Sequence, residues 1–133
     1  MIKLAQDLLD AIISHAGEKA PEEVCGWLAG KNGKVVAVYP VPNDAVDPCS
    51  RFRMEPEAQL AAMREIRERG LDLTGTYHSH PESPPHPSSR DRELGLYPDS
   101  VHLIISLAET EPEARCWSIT QKGFDPTDLI VHR

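Results

Sequence analysis

Apolar residues at Leu4, Leu8, Leu9, Ile12 and Ile13 recur at helical spacing with polar residues between them. That period predicts an amphipathic helix over residues 3–18. Residues 24–30 form a short, largely apolar run that reads as a strand, and Asn32-Gly33 is a two-residue hairpin signal leading into a second strand over 34–41. Residues 42–50 (PNDAVDPCS) are loop by composition, and 51–54 read as a short strand. A second helix is expected from 56 to 69, opened by Pro56 and closed by Gly70. Residues 71–80 alternate and are rich in Thr and Tyr, so they read as a strand, which ends in a proline-loaded loop, PESPPHPSS. Ser88 or Ser89 is placed to cap a short helix running toward Leu96. Strands are expected at 101–108, 114–121 and 128–132, with a turn at 109–112.

Helices and strands interleave, without an internal repeat or a linker. The expectation is one mixed α/β domain over residues 1–133, a sheet flanked by helices. The net charge of −7 gives no broad attraction to nucleic acid or an anionic membrane. No stretch approaches the ~20 apolar residues that span a bilayer. The N-terminal run MIKLAQDLLDAII holds acidic residues that a signal peptide would exclude, so a cytoplasmic location is expected. The three cysteines, Cys25, Cys49 and Cys116, form no CxxC pair, which argues against a Cys-rich metal site and a disulfide framework. Cys25, inside VCGWLAG, reads as a small buried hydrophobe.

Candidate chemistry is concentrated in Thr76-Tyr-His-Ser-His-Pro81, followed by Pro87-Ser-Ser-Arg-Asp91. On a strand, His78 and His80 point to the same face with Cα atoms ~7 Å apart, close enough to converge on one cation. The stiff loop then returns the chain so that Asp91 can add a carboxylate. Two imidazoles and a carboxylate, with a fourth position for water, are the ligand type of a catalytic zinc site. Taken singly, each piece has another reading. His-Ser-His also suits a surface loop, and Ser88-x-x-Asp91 also suits a capping box.

The combination is more specific. H-x-H, ten intervening residues and an Asp, with Pro after the second His and Ser three before the Asp, resembles the JAMM (MPN+) metalloprotease motif. The family's upstream glutamate stands in E-x-x-G-x-L-x-G, which Glu23-Val-Cys-Gly26-Trp-Leu28-Ala-Gly30 matches. The spacing to Gly26 selects Glu23 over its neighbour Glu22. The resemblance spans nearly the whole chain and implies a single MPN domain, with a mixed curved sheet flanked by helices in a cytidine-deaminase-like three-layer arrangement.

It also implies a function. One zinc per chain would be held by His78, His80 and Asp91, with Glu23 as general base and then general acid. The Ser88 hydroxyl would help stabilise the oxyanion. His86, within the loop, reads as exposed, and His15, His102 and His132 have no ligand-like spacing with anything nearby. The implied substrate is an amide bond at the C-terminal Gly-Gly of a ubiquitin-like or sulfur-carrier protein. The alternative is a non-catalytic MPN scaffold, which binds partner proteins and lacks the ligands. Monomer and homodimer both stay open, since the apolar face of the first helix suits either the core or a partner copy.

Overall fold

The computed structural model describes residues 1–89, 91, 101–120 and 123–133. Its elements in chain order are β1 (Ile2–Ala5), α1 (Gln6–Lys19), β2 (Cys25–Lys31), β3 (Lys34–Val41), α2 (Pro56–Glu68), β4 (Asp72–His80), β5 (Val101–Ser106), β6 (Glu113–Thr120), β7 (Gly123–Thr127) and β8 (Leu129–His132). The expected helix from Ser88 or Ser89 toward Leu96 runs into residues outside those described.

The strands form one mixed sheet in the order β7-β6-β5-β4-β2-β3-β1-β8. β1 runs parallel to β3 and β8, and β4 parallel to β5, while the other neighbours are antiparallel. The sheet curves until its ends nearly meet. The Ile2 N–H donates to the Asp128 carbonyl at 2.9 Å, and the Met1 ammonium donates to Thr127 Oγ1 at 3.0 Å.

Alternation along the strands assigns the two faces. Leu28, Tyr77, Leu103 and Ile105 pack with Leu9, Ile12 and Ala16 of α1. Cys25, Trp27, Ala29 and Val41 pack with Ile66 of α2, and Phe52 and Met54 complete that cluster. Helix, sheet and helix therefore make three layers, and the apolar face of α1 serves the core. No helix among the described residues is long and apolar enough to cross a membrane.

Local chemistry explains most boundaries. Asn32 (φ 52°) and Gly33 (φ 80°) take the left-handed conformations of a tight hairpin turn between β2 and β3. At the start of α2, Glu55 accepts from the Glu57 and Ala58 N–H groups, and Pro56 occupies the first turn, where its missing N–H costs nothing. Gly70, at φ 71°, closes the helix.

Two expectations are corrected and one strand is added. Residues 2–5 are a strand, with Ile2 and Leu4 buried and Lys3 exposed; Leu4 fits both periods, so the helical pattern conceals the alternation. Within 51–54 only Met54 makes a bridge, to Asn43, and the segment is otherwise irregular. β7 is not among the expected strands, and its Asp125 and Pro126 are residue types depleted in strands. It lies at the edge of the sheet, where a proline leaves no ladder bond unmade.

Candidate functional site

Three side chains of β4, from Thr76, His78 and His80, share the face turned away from α1, while Tyr77 points into the α1 core. Cys25 pairs with His78 across the β2–β4 ladder. Ser79 extends that pairing by one step: its Oγ accepts from the Val24 N–H at 2.8 Å, and its N–H donates to the Val24 carbonyl at 3.1 Å. The next step sets Glu23 opposite His80, on the same face. Glu23 is buried and Glu22 is exposed, which separates the two acidic neighbours. Gly26 is required by close packing, since a Cβ there would sit 2.4 Å from Tyr77 Cε1 and 2.5 Å from the Tyr39 carbonyl oxygen.

His78, His80 and Asp91 converge. The two histidine Nε2 atoms are 2.9 Å apart, and Asp91 places Oδ1 3.2 Å from His78 Nε2 and Oδ2 3.1 Å from His80 Nε2. Donors around a tetrahedral zinc, each at ~2.0–2.1 Å, lie ~3.3 Å from one another. The two histidine nitrogens need to open by only a few tenths of an ångström, and one donor atom from each of the three residues lies within 4.8 Å of the others, within reach of one such ion. Among the described residues they are the group able to hold a metal. Nitrogen and carboxylate donors suit zinc and other divalent transition metals alike.

Ser88 and Asp91 also form the capping box. The Asp91 N–H donates to Ser88 Oγ at 3.1 Å, and the Ser88 N–H donates to Asp91 Oδ2 at 2.8 Å. The cap and a ligand role are compatible, because the capping bonds fix the carboxylate that faces the histidines. With Ser88 Oγ accepting from the backbone, its own proton is free to donate into the cleft that it lines.

The far nitrogens of the two imidazoles are held differently. His80 Nδ1 donates to the Pro84 carbonyl at 2.7 Å. The loop carrying that carbonyl is tied down by Ser106 Oγ donating to the Ser83 carbonyl at 2.7 Å and Trp117 Nε1 donating to the Pro85 carbonyl at 3.0 Å. His78 Nδ1 instead meets Nε2 of His102, whose Nδ1 meets Thr76 Oγ1. Phe52 stacks on the His78 ring, with centroids 4.6 Å apart. His102, which has no ligand-like spacing in the sequence, is fully buried beside His78. The sequence does carry a signal: one polar residue inside an apolar strand, at the alternate positions that face away from Leu103 and Ile105. The parallel pairing that sets His102 beside Thr76 is not readable there. His86 is exposed, as expected, near the Trp117 ring, and His15 is bonded to the Tyr77 hydroxyl.

Burial lowers the pKa of His78 against the pull of Asp91, and it lowers His102 well below the ordinary value, helped by neighbouring His78. Burial alone would raise Asp91, but hydrogen bonds from His78 and His80 hold its carboxyl well below the usual carboxylate range. For His80, burial acts downward and is outweighed by Asp91, the Pro84 carbonyl and Glu23, so its pKa is raised. An anionic Asp91 and a neutral His78 are the protonation states a cation needs.

The loop after β3 closes the site from the other side. Asn43 Nδ2 donates to the Glu23 carbonyl at 2.9 Å and to the Arg51 carbonyl at 3.1 Å. Its Oδ1 accepts from the N–H groups of Ala45 and Arg53 at 3.0 Å each. The Glu23 N–H donates to the Pro48 carbonyl at 2.8 Å. Between this loop and the proline loop lies a cleft of about 300 Å³, lined by Glu23, Cys49, Ser50, His80, Pro81 and Ser88 among others.

A three-layer domain with an open two-histidine, one-carboxylate cluster is the architecture of a JAB-type metalloprotease. Residues 5–120 match the family described as prokaryotic homologs of the JAB domain, and the chain belongs to that family. It is 44% identical to the desampylase of Haloferax volcanii, covering 98% of this chain and 94% of that protein. It is 35% identical to a probable TtuB-protein conjugate cleaving protease of Thermus thermophilus, over 68% of this chain and 61% of the relative. The solution structure of protein DSY2949 from Desulfitobacterium hafniense superimposes with a TM-score of 0.90 at 35% identity, covering 100% of this chain and 94% of that one.

Proposed function

We propose that this chain is a zinc-dependent peptidase or isopeptidase acting on an amide bond at the C-terminal Gly-Gly of a ubiquitin-like or sulfur-carrier protein. The observation that carries this reading is the convergence of His78, His80 and Asp91 near a buried carboxylate, Glu23, in the segment leading into the adjacent strand β2. The relative that is named for cleaving TtuB–protein conjugates supports the substrate class. A cleft of about 300 Å³ is at the small end for ligand sites and suits a chain end without side chains. A partner-binding scaffold predicts that these residues are missing, and the presence of His78, His80, Asp91 and Glu23 together favours the enzyme reading.

Zinc, when bound, supplies Lewis acidity and brings the pKa of water toward ~7. The protein's part is to move protons and bind charge. Glu23 takes the proton of the attacking water and delivers it to the leaving amine. Ser88 donates a hydrogen bond from its hydroxyl to the oxyanion of the tetrahedral intermediate. Asn43 and the Pro48 carbonyl fix the backbone of Glu23, so the base does not have to find its position during the reaction.

The test is a carrier protein fused through its C-terminal Gly-Gly to a peptide or a lysine, incubated with zinc-loaded enzyme and read by intact mass. Wild type cleaves at the glycine. Glu23→Gln, which keeps the shape and loses the base, slows cleavage by roughly 10²–10⁴. Equal cleavage by the two proteins would refute the assignment.

A further inference from the structure

A buried polar chain runs beneath the candidate ligand cluster and ends on His78, one of its members. Thr76 and His102 are both almost wholly enclosed, and they sit side by side in the β4–β5 pairing. Thr76 Oγ1 meets His102 Nδ1, and His102 Nε2 meets His78 Nδ1. His78 Nε2 faces His80 and Asp91. Phe52 lies stacked against both His78 and His102, which excludes water from that side and holds the two rings nearly parallel to it.

An imidazole can ligate through Nε2 only if its single proton is on Nδ1. We infer that His102 is a positioning residue that holds the His78 proton on Nδ1, so that Nε2 turns a bare lone pair toward the metal. In that state the proton order is fixed along the chain. His78 Nδ1–H donates to His102 Nε2, and His102 Nδ1–H donates to the Thr76 oxygen. Run the other way, with Thr76 donating inward, the same chain leaves the His78 proton on Nε2 and closes that nitrogen to a cation. A hydroxyl both donates and accepts, so Thr76 satisfies either order, and only the first is compatible with ligation. His78 thus takes its orientation from side chains in the sheet, and His80 takes its own from a loop carbonyl.

This rests on the zinc reading above, and the experiment separates the two. Glutamine reproduces the Nε2 end of histidine, and asparagine the Nδ1 end. His102→Gln keeps an oxygen acceptor for His78 Nδ1–H, whereas His102→Asn leaves that proton unanswered. Zinc affinity, measured by competition with a chromophoric chelator, is expected to fall roughly 10–100-fold in His102→Asn, the size of effect seen when outer partners of a ligand are lost. His102→Gln stays within about threefold of wild type. In the same assay Thr76→Val weakens binding by several-fold, and Thr76→Ser restores it. Nitrogen-15 NMR of the zinc-loaded wild type shows the His78 proton on Nδ1. Thermal melts of the metal-free proteins show that the Gln and Asn variants fold alike. Zinc affinity unchanged in both His102 variants, or reduced equally in both, overturns the inference. A wild type that does not hold zinc overturns the functional reading instead.

Discussion

His78 and His80 leave β4 two residues apart on one face, yet the protein secures their outer nitrogens by unlike means. His78 is backed by buried side chains, His102 and Thr76 of the sheet and Phe52 of the segment before α2. His80 is backed by the Pro84 carbonyl, on a loop that owes its shape to its prolines and to the tethers of Ser106 and Trp117. The difference teaches where rigidity comes from. A ligand anchored within the sheet inherits the packing of the core. A ligand anchored on a loop needs explicit hydrogen bonds to restrict a segment that also has to admit substrate.

The strongest way to break the comparison is to remove a ligand. His80→Ala takes away one of three donors, and zinc measured by elemental analysis after gel filtration is expected to fall from about one per chain toward zero. His78→Ala gives the same result, since the two histidines are equal as donors and differ only in support. The next effect is smaller and confined to the loop side. Ser106→Ala removes the bond to the Ser83 carbonyl, and Trp117→Phe removes the bond to the Pro85 carbonyl. Each is a neutral hydrogen bond worth ~0.5–1.5 kcal/mol, so each change lowers zinc affinity by at most about tenfold. Both also make residues 81–87 easier to cut in limited proteolysis, which changes at His102 do not. Equal cutting in all variants would show that the two supports are not separate.

Much of this site is legible in the amino-acid sequence. Strand periodicity puts His78 and His80 on one face, and the spacing to Gly26 singles out Glu23, because these signals are local and regular. The capping pattern at Ser88 and Asp91 is legible as well, and the same bonds fix the carboxylate proposed as a ligand. His102 is not, since its role depends on which strand lies beside β4, a parallel pairing made across a long connection. Asn43 escapes notice for a related reason. It sits in a loop, where nothing periodic marks a residue whose side chain gathers backbone groups from three places. β1 is hidden because Leu4 fits a helix as well as a strand, and only its place between β3 and β8 decides.

The cysteines sharpen the comparison at the lowest energy. Cys25 lies beside His78 on the strand side and is buried, while Cys49 is exposed and lines the cleft next to His80. Native protein at pH 8 is therefore expected to take one iodoacetamide adduct, at Cys49, and three after unfolding in urea, read by intact mass. Burial, reinforced by Glu23, pushes the Cys25 thiol up to about 12 from 9.0, and burial pushes Cys116 to about 12 as well. A folded-state pKa above the unfolded one gives stability that is fully present below pH 9.0 and is lost as pH rises toward 12. Each thiol thus costs about 1.4 kcal/mol of stability for each pH unit gained in that window. Urea unfolding at pH 8 and pH 10 measures the loss, and Tyr77, raised by the same burial, adds to it only at higher pH. Cys25→Val removes one of the two thiol contributions and is expected to roughly halve the difference between pH 8 and pH 10. A difference unchanged by Cys25→Val would mean that the strand side of the site is not sealed in solution.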